Sequence, residues 1–573
     1  MDTLSGGNST VTNKDYFEQV RIYSSLAVQI AKTDLEKLGQ LVTQLDDLPD
    51  PAFSEIIHHL SSEEISDISE NERLHVWETL TDFVSKHRKF SDAKWALPTT
   101  EVDKIAKVAD SIQPSSPDLI HRRLFGSHEV ELYEEKGNYE EQSRRIADRR
   151  TRAVEEILEV SGIDGVINFS RSVELPLEVG LALGRAAQTD QDVYFLPDKL
   201  TAEGKLLKDV TYGYVWSRFH AKGWEWVDKL ERKHWTDQQK TALLVYLPFT
   251  KETWQRAKSL LGENESLYWK AADARPYQLK EELREAVEKL VQYGRPRAAI
   301  QCLKWMLYEK TEISLDHAYQ ALLSCPTSEE PPQSLDQHDT TELIKWLQQN
   351  SQADKETLLQ IEWIYLPLLD HHFGNAPVTL EQRLADDPAF FCEVIRTVFR
   401  SEKEEKDPAE ITEGRKQLAS QAFGLLYHWR TPPGTQPNGI FDVSKLREWM
   451  VKAKISCEET GHLQIALDQI GKVLAHSPAD ASGLWIHKGV AEMLNEKDVD
   501  AMRSAFTVEL FNMRGTFWGS KGEQEKKLAL SYREKAEAVE KEGYIRLAAS
   551  LRGLADSYDR DAEREASRDL LED

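Results

Sequence analysis

Asp370, His371 and His372 stand side by side as potential metal ligands, and metal-assisted hydrolysis would need them to converge with further carboxylates, commonly from strand ends. The triplet instead closes an amphipathic stretch before Gly374, where imidazoles interact favourably with the last carbonyls of a helix. His58 and His59 lack a second ligand pair at metal spacing. No H-E-x-x-H helix, G-x-S-x-G elbow, Gly-rich dinucleotide turn or G-x-x-x-x-G-K-[ST] phosphate loop occurs. The sequence therefore names no catalytic residue, no cofactor-binding residue and no metal ligand. Arg144, Arg145, Arg149, Arg150 and Arg152 would be the phosphate contacts of a nucleic-acid reading, but interleaved Glu and Asp cancel much of their field. Recognition is the chemistry that remains. Aromatic side chains dominate protein interfaces, and the tryptophans singled out for such a role are Trp224, Trp226, Trp254, Trp269 and Trp485. Trp224 and Trp226, in KGWEW, alternate with polar residues and read as the exposed pair; the plainer reading of all five is a wedge between helices.

The elements that must position these rings are short amphipathic helices with their own start and stop signals. Thr236 and Gln239 form a capping box, Leu243, Leu244 and Leu247 mark a buried face, and Pro248 ends the helix. Thr250 caps the next one, with Phe249 placed to staple onto Trp254, and Gly262 stops it. Leu279, Leu283, Ala286, Val287, Leu290 and Val291 line one face of a third, which closes at Gly294 before Pro296 opens a fourth through Tyr308. Ser61 with Glu64, and Ser91 after Phe90, predict two further helix starts. The stretch from Leu97 echoes the one from Leu247 in cap placement and apolar spacing, as diverged repeats do.

Composition agrees with an ordered, helical chain. Of 573 residues, 30% are charged, while 28 glycines, 21 prolines and 15 dispersed tryptophans argue against low complexity or disorder. A formal charge of -26 disfavours binding to a phosphate backbone, so nucleic acid is not the expected partner. The N-terminal stretch lacks a basic flank followed by an apolar core, and apolar runs are too short to span a bilayer. Cys302, Cys325, Cys392 and Cys457 form no C-x-x-C pair and read as reduced, buried thiols. A cytoplasmic protein with no membrane contact is expected.

The chain divides on these signals into a disordered segment 1–14, helical hairpins over 15–125, a charged helix with an irregular helical segment over 126–222, and a helical-repeat segment over 223–325. A linker at 326–337, a helical segment at 338–430, a second linker at 431–440 and a helical domain over 441–573 follow, with a further charged linker at 401–410. Within this scheme Glu134–Leu158 reads as a long exposed helix. The stretch 161–215 reads as irregular helical turns, with a short strand at Gly165–Phe169 as the alternative.

Two resemblances follow from particular residues. Gly461, Leu463, Ala466, Leu467 and Pro478 give the unit Gly461–His487 the pattern of a tetratricopeptide repeat, although the upstream tryptophan and glycine pattern of that family is missing. LPFTKETW, IEWIYLPLLDHHFG, DPAFFCEVIRTVFRSE and RTPPGTQPNGIFD resemble the carboxy-terminal helical arrays of large bacterial signal-transduction ATPases with numerous domains and of related defence proteins. That resemblance implies an array that senses a partner, here without the phosphate loop of the ATPase.

The expected fold is all-α, an α-solenoid of stacked helical hairpins of tetratricopeptide or HEAT type. The expected function is a non-catalytic protein-binding scaffold, with a protein partner and an undefined oligomeric state. A helical enzyme or nucleic-acid-processing factor, its site assembled from distant residues, is the alternative.

Overall fold

The signals between Trp235 and Tyr308 reappear one by one in the computed structural model, which describes residues 5–6, 9–10, 13–127, 138–279, 281–332, 336–371, 374–403, 412–436, 439–515 and 522–572. Thr236 and Gln239 exchange both bonds of the capping box at the head of the helix Asp237–Tyr246, and Leu243, Leu244 and Leu247 are buried. Thr250 is the N-cap of the helix Lys251–Leu261, Phe249 meets Trp254 with ring centroids 5.1 Å apart, and Gly262 terminates the helix at positive φ. The helices Leu283–Gln292 and Pro296–Tyr308 flank Gly294, also at positive φ, and pack against one another.

Other expectations are corrected. Ser61 makes no capping box with Glu64; its hydroxyl donates back to the Ile57 carbonyl at 2.8 Å, and Ser62 precedes the short helix Glu63–Ser66. No helix starts at Ser91, because the next one is Thr99–Ser111 with Pro98 as its N-cap, two residues ahead of the position that the Leu247 echo implies. For Gly165–Phe169 the helical reading holds over the strand, since the segment is part of the helix Tyr139–Ser170, which is broken only at Gly162. That helix is not simply an exposed one either, since Gln142, Ile146, Arg150, Ala153, Val154 and Ile157 are buried. Parts of the 1–14 segment and of the linkers at 326–337, 401–410 and 431–440, the first residues of the charged stretch from Glu134, and His372 lie outside the described residues.

The fold is all-α, built from successive helical hairpins; among the described residues strand pairing is confined to Ser5–Gly6 with Ser9–Thr10 and an isolated bridge between Thr435 and Phe441. The chain separates into two compact units, 1–273 and 274–573. In the first, Leu35–Val42 packs on Glu70–Lys89 around Leu38, Val42, Ile56, Trp77, Leu80 and Ile105. Further along, Pro176–Ala186 packs closely on Lys205–Lys229. A Cβ on Gly180 would stand 2.1 Å from the Val210 carbonyl oxygen, and one on Gly213 2.5 Å from that of Leu177, so glycine is what lets these two backbones touch.

In the second unit Pro388–Val398 packs on both Glu413–His428 and Val443–Glu459, Leu463–Leu474 on Asp500–Asn512, and Glu523–Lys541 on Ile545–Glu572. One continuous core, including Leu384, Phe391, Trp449, Ile470, Phe506 and Tyr558, runs through these pairs.

Candidate partner-binding surface

The helix Lys205–Lys229 is two-faced, and the reason is visible in its spacing. Tyr214 and Arg218, four residues apart, point inward onto Asp192, which is 2% exposed. The Asp192 carboxylate accepts the Tyr214 hydroxyl at 2.5 Å, the Arg218 guanidinium at 3.0 and 2.5 Å, and the Trp226 indole N–H at 3.0 Å, while Arg218 also donates to the Ala187 carbonyl at 2.8 Å. Burial, reinforced by the neighbouring carboxylate, pushes the Tyr214 phenol far above its ordinary range. This network fixes the helix rotation by hydrogen bonds on the inner side.

Tyr212, Trp216 and His220, also at four-residue spacing, are thereby turned outward. Their rings form a chain: Tyr212 to Trp216 at 5.9 Å and Trp216 to His220 at 4.4 Å. Tyr246, from the helix Asp237–Tyr246, joins at 5.6 Å from Tyr212. Phe219 adds a branch, 6.3 Å from His220 and 4.9 Å from Trp224. At Gly223 the helix breaks, with φ 58° and ψ -153°, a conformation essentially restricted to glycine, and the break carries Trp224 onto Phe219. Arg256, from Lys251–Leu261, lies over the Trp224 ring at 4.3 Å and is itself held by Asp228 and Glu252. His220 is exposed, while Tyr212, Trp216, Phe219, Trp224, Tyr246 and Arg256 are half-buried. Most aromatics at such density complete a core; these six rings keep part of their surface in water.

The tryptophans named from sequence divide. Trp226, Trp254 and Trp269 are buried, at 3%, 3% and 0% exposure, so the exposed pair expected in KGWEW is reduced to Trp224. Trp254 and Trp269 meet in a tilted arrangement with ring centroids 5.3 Å apart beside Phe249, and the Trp269 indole donates to Glu265. Trp485, in the second unit, is half-buried; its N–H donates to the Lys535 carbonyl at 3.1 Å, the Lys535 ammonium lies 5.1 Å over its ring, and Phe506 lies behind it. Tyr212, Trp216, Phe219, His220 and Tyr246 were not among the named residues. The signal for Tyr212, Trp216 and His220 was present in YGYVWSRFHAKGW, where aromatic or imidazole side chains recur every fourth residue as far as Trp224; Phe219 lies off that spacing and Tyr246 outside the stretch.

Several of the residues weighed for other chemistry find internal partners. Arg150 is buried, donating to the Leu124 carbonyl at 2.7 Å and pairing with Glu178 at 2.9 Å, and Arg145 pairs with Glu141. Arg149 and Arg152 line a cleft of about 310 Å³ with Arg123, His121, Glu156 and Trp77, in which His121 and Glu156 are 2.6 Å apart. His371 contacts the buried Glu381 carboxylate at 2.5 Å; the same group accepts the Arg430 N–H and the Thr431 hydroxyl, so His371 belongs to a structural tie between helices. Among the described residues no group of three His, Cys, Asp or Glu side chains is placed to hold a metal ion. No described helix is long and apolar enough to cross a membrane.

No protein-family model matches the chain, and no curated protein matches it. Among solved structures, a circular tandem repeat protein with novel repeat topology and enhanced subunit contact surfaces aligns with 94% of this chain and 99% of its own, at 13% identity and a TM-score of 0.11. A superposition that poor carries no detail of fold or site.

Proposed function

We propose that this chain is a non-catalytic, protein-binding helical scaffold whose partner docks on the aromatic stripe formed by Tyr212, Trp216, His220, Trp224 and Tyr246. The observation that supports it is the continuous ring chain held outward by the buried Asp192 network. Large, rigid aromatics give contact area at low conformational cost, and their faces attract cations. With a net charge of -26 on the chain, the partner is a protein segment that combines apolar side chains with Lys or Arg. The resemblance of LPFTKETW and IEWIYLPLLDHHFG to bacterial sensing arrays supports a finer reading, a cytoplasmic sensor in a defence or signalling system whose effector is a separate protein.

A photo-reactive amino acid at His220 tests the surface, with Lys104, whose side chain is 59% exposed elsewhere on the same unit, as control position. Cross-linking in the native host from position 220 and not from 104 is the expected outcome. Equal labelling from both positions, or none from 220 while other faces capture a partner, contradicts it.

A further inference from the structure

The four cysteines are scattered in sequence, yet the fold joins two of them. Cys392 on Pro388–Val398 and Cys457 on Val443–Glu459 lie 65 residues apart in the chain with their sulfurs 3.3 Å apart, and each is 1% exposed. The Cys457 thiol donates to the Cys392 sulfur, which also lies 3.8 Å from the Ala453 carbonyl oxygen. A disulfide requires about 2.05 Å between sulfurs, so closing the bond asks for a movement on the order of 1 Å, within reach of side-chain rotation. We propose that Cys392 and Cys457 form a modification site, a dithiol that a peroxide converts to an intramolecular disulfide.

The chemistry assigns unequal roles. The bond donated by Cys457, helped by the Ser456 hydroxyl and the positive charge of Arg396, lowers the Cys392 thiol against the opposing effect of burial, whereas Cys457 is raised as the donor. Cys392, as thiolate, attacks one oxygen of hydrogen peroxide; the S–O bond forms, the O–O bond breaks, and hydroxide leaves to take up a proton as water. Cys457, deprotonated as it attacks, then displaces hydroxide from the Cys392 sulfenic acid, and the S–S bond forms as the S–O bond breaks. Two thiols are oxidised by one electron each, one peroxide is reduced by two, and two waters result. The other cysteines lack such a setting: burial alone pushes Cys302 up to about 12 and also raises Cys325. The peroxide is close to water in size and reaches the pair through local opening of the helices.

Oxidation would tie Pro388–Val398 to Val443–Glu459 and enclose Glu413–His428 in a covalent loop. Phe390, two residues before Cys392, lines an apolar groove of about 420 Å³ with Leu359, Trp363 and Leu380. The cross-link would therefore stiffen one wall of that groove.

The full chain, treated with hydrogen peroxide and alkylated in denaturant, provides the test. Expected are two protected thiols out of four, release by a reductant, a linked peptide pair Leu384–Arg396 with Ile455–Lys472, and a melting temperature raised by several degrees. Cys392→Ser and Cys457→Ser should each abolish protection, and neither should shift in melting temperature on oxidation. Four alkylated thiols after treatment, a disulfide that includes Cys302 or Cys325, or an intermolecular cross-link would overturn the proposal. Because the wild-type peptide map decides the matter, a variant that fails to fold does not obscure it.

Discussion

Asp192 shows how much one buried carboxylate can organise. It satisfies Tyr214, Arg218 and Trp226 at once, and Arg218 is only 2% exposed. Asp192→Ala leaves a guanidinium buried without its counter-charge, and breaking such a pair costs about 3–5 kcal/mol. Urea unfolding of the first unit should show that loss, whereas a change below about 1 kcal/mol would mean water replaces the carboxylate. His87 makes a second prediction. Its Nδ1 accepts the Leu97 N–H at 3.0 Å, and burial holds the imidazole below its ordinary value of 6.5, with Asp46 opposing the effect. Above pH 6.5 the ring is neutral in both folded and unfolded chains; as pH falls through 6.5 the unfolded chain binds a proton that the folded one refuses. His59, also buried, acts in the same direction. Melting temperature should therefore drop between pH 7.5 and 5.5, with a shallower slope in His87→Gln. Little of this was legible beforehand, because the buried Trp226 donates to Asp192, 34 residues away, and alternation in KGWEW says nothing about a partner so distant.

Helices were far easier to read than their surroundings. The capping box of Thr236 and the stops at Pro248, Gly262 and Gly294 are local chemistry, settled within four residues, and they recur in the structure. Capping residues misled at Ser61 and Ser91, where a serine that can cap a helix instead closes or follows one. The close contact at Gly180 and Gly213 was not legible, because only the facing helix explains why a side chain has no room there. Gly223 is where element and function meet, since its break sets Trp224 against Phe219 and Arg256. Gly223→Ala should cost about 1–3 kcal/mol from the strained backbone and move Trp224 off the stripe. A fall in unfolding free energy with a changed tryptophan emission would bear this out; unchanged stability would show that the break tolerates a side chain.

At the scale of the molecule, charge and aromatic surface act on different parts of recognition. On the proposed function, long-range repulsion or attraction by a chain of net charge -26 sets the rate of encounter, and the rings set how long a complex lasts. Association with a basic partner should slow as salt rises, with dissociation changing less, as stopped-flow mixing at two ionic strengths would show. The all-α class was readable from periodicity and caps, whereas the division at residue 273 was not, since no composition shift marks it. The aromatic stripe was half-legible: Trp224 stood out as a tryptophan in a polar setting, but Tyr246 joins only through packing of a second helix. The central claim is that this stripe holds a partner, and the direct test is calorimetric titration of the partner captured from position 220 against wild type and Trp216→Ala/Trp224→Ala. Removing two aromatic anchors should weaken binding by roughly thirtyfold or more while helical content is kept; an unchanged dissociation constant would contradict the account.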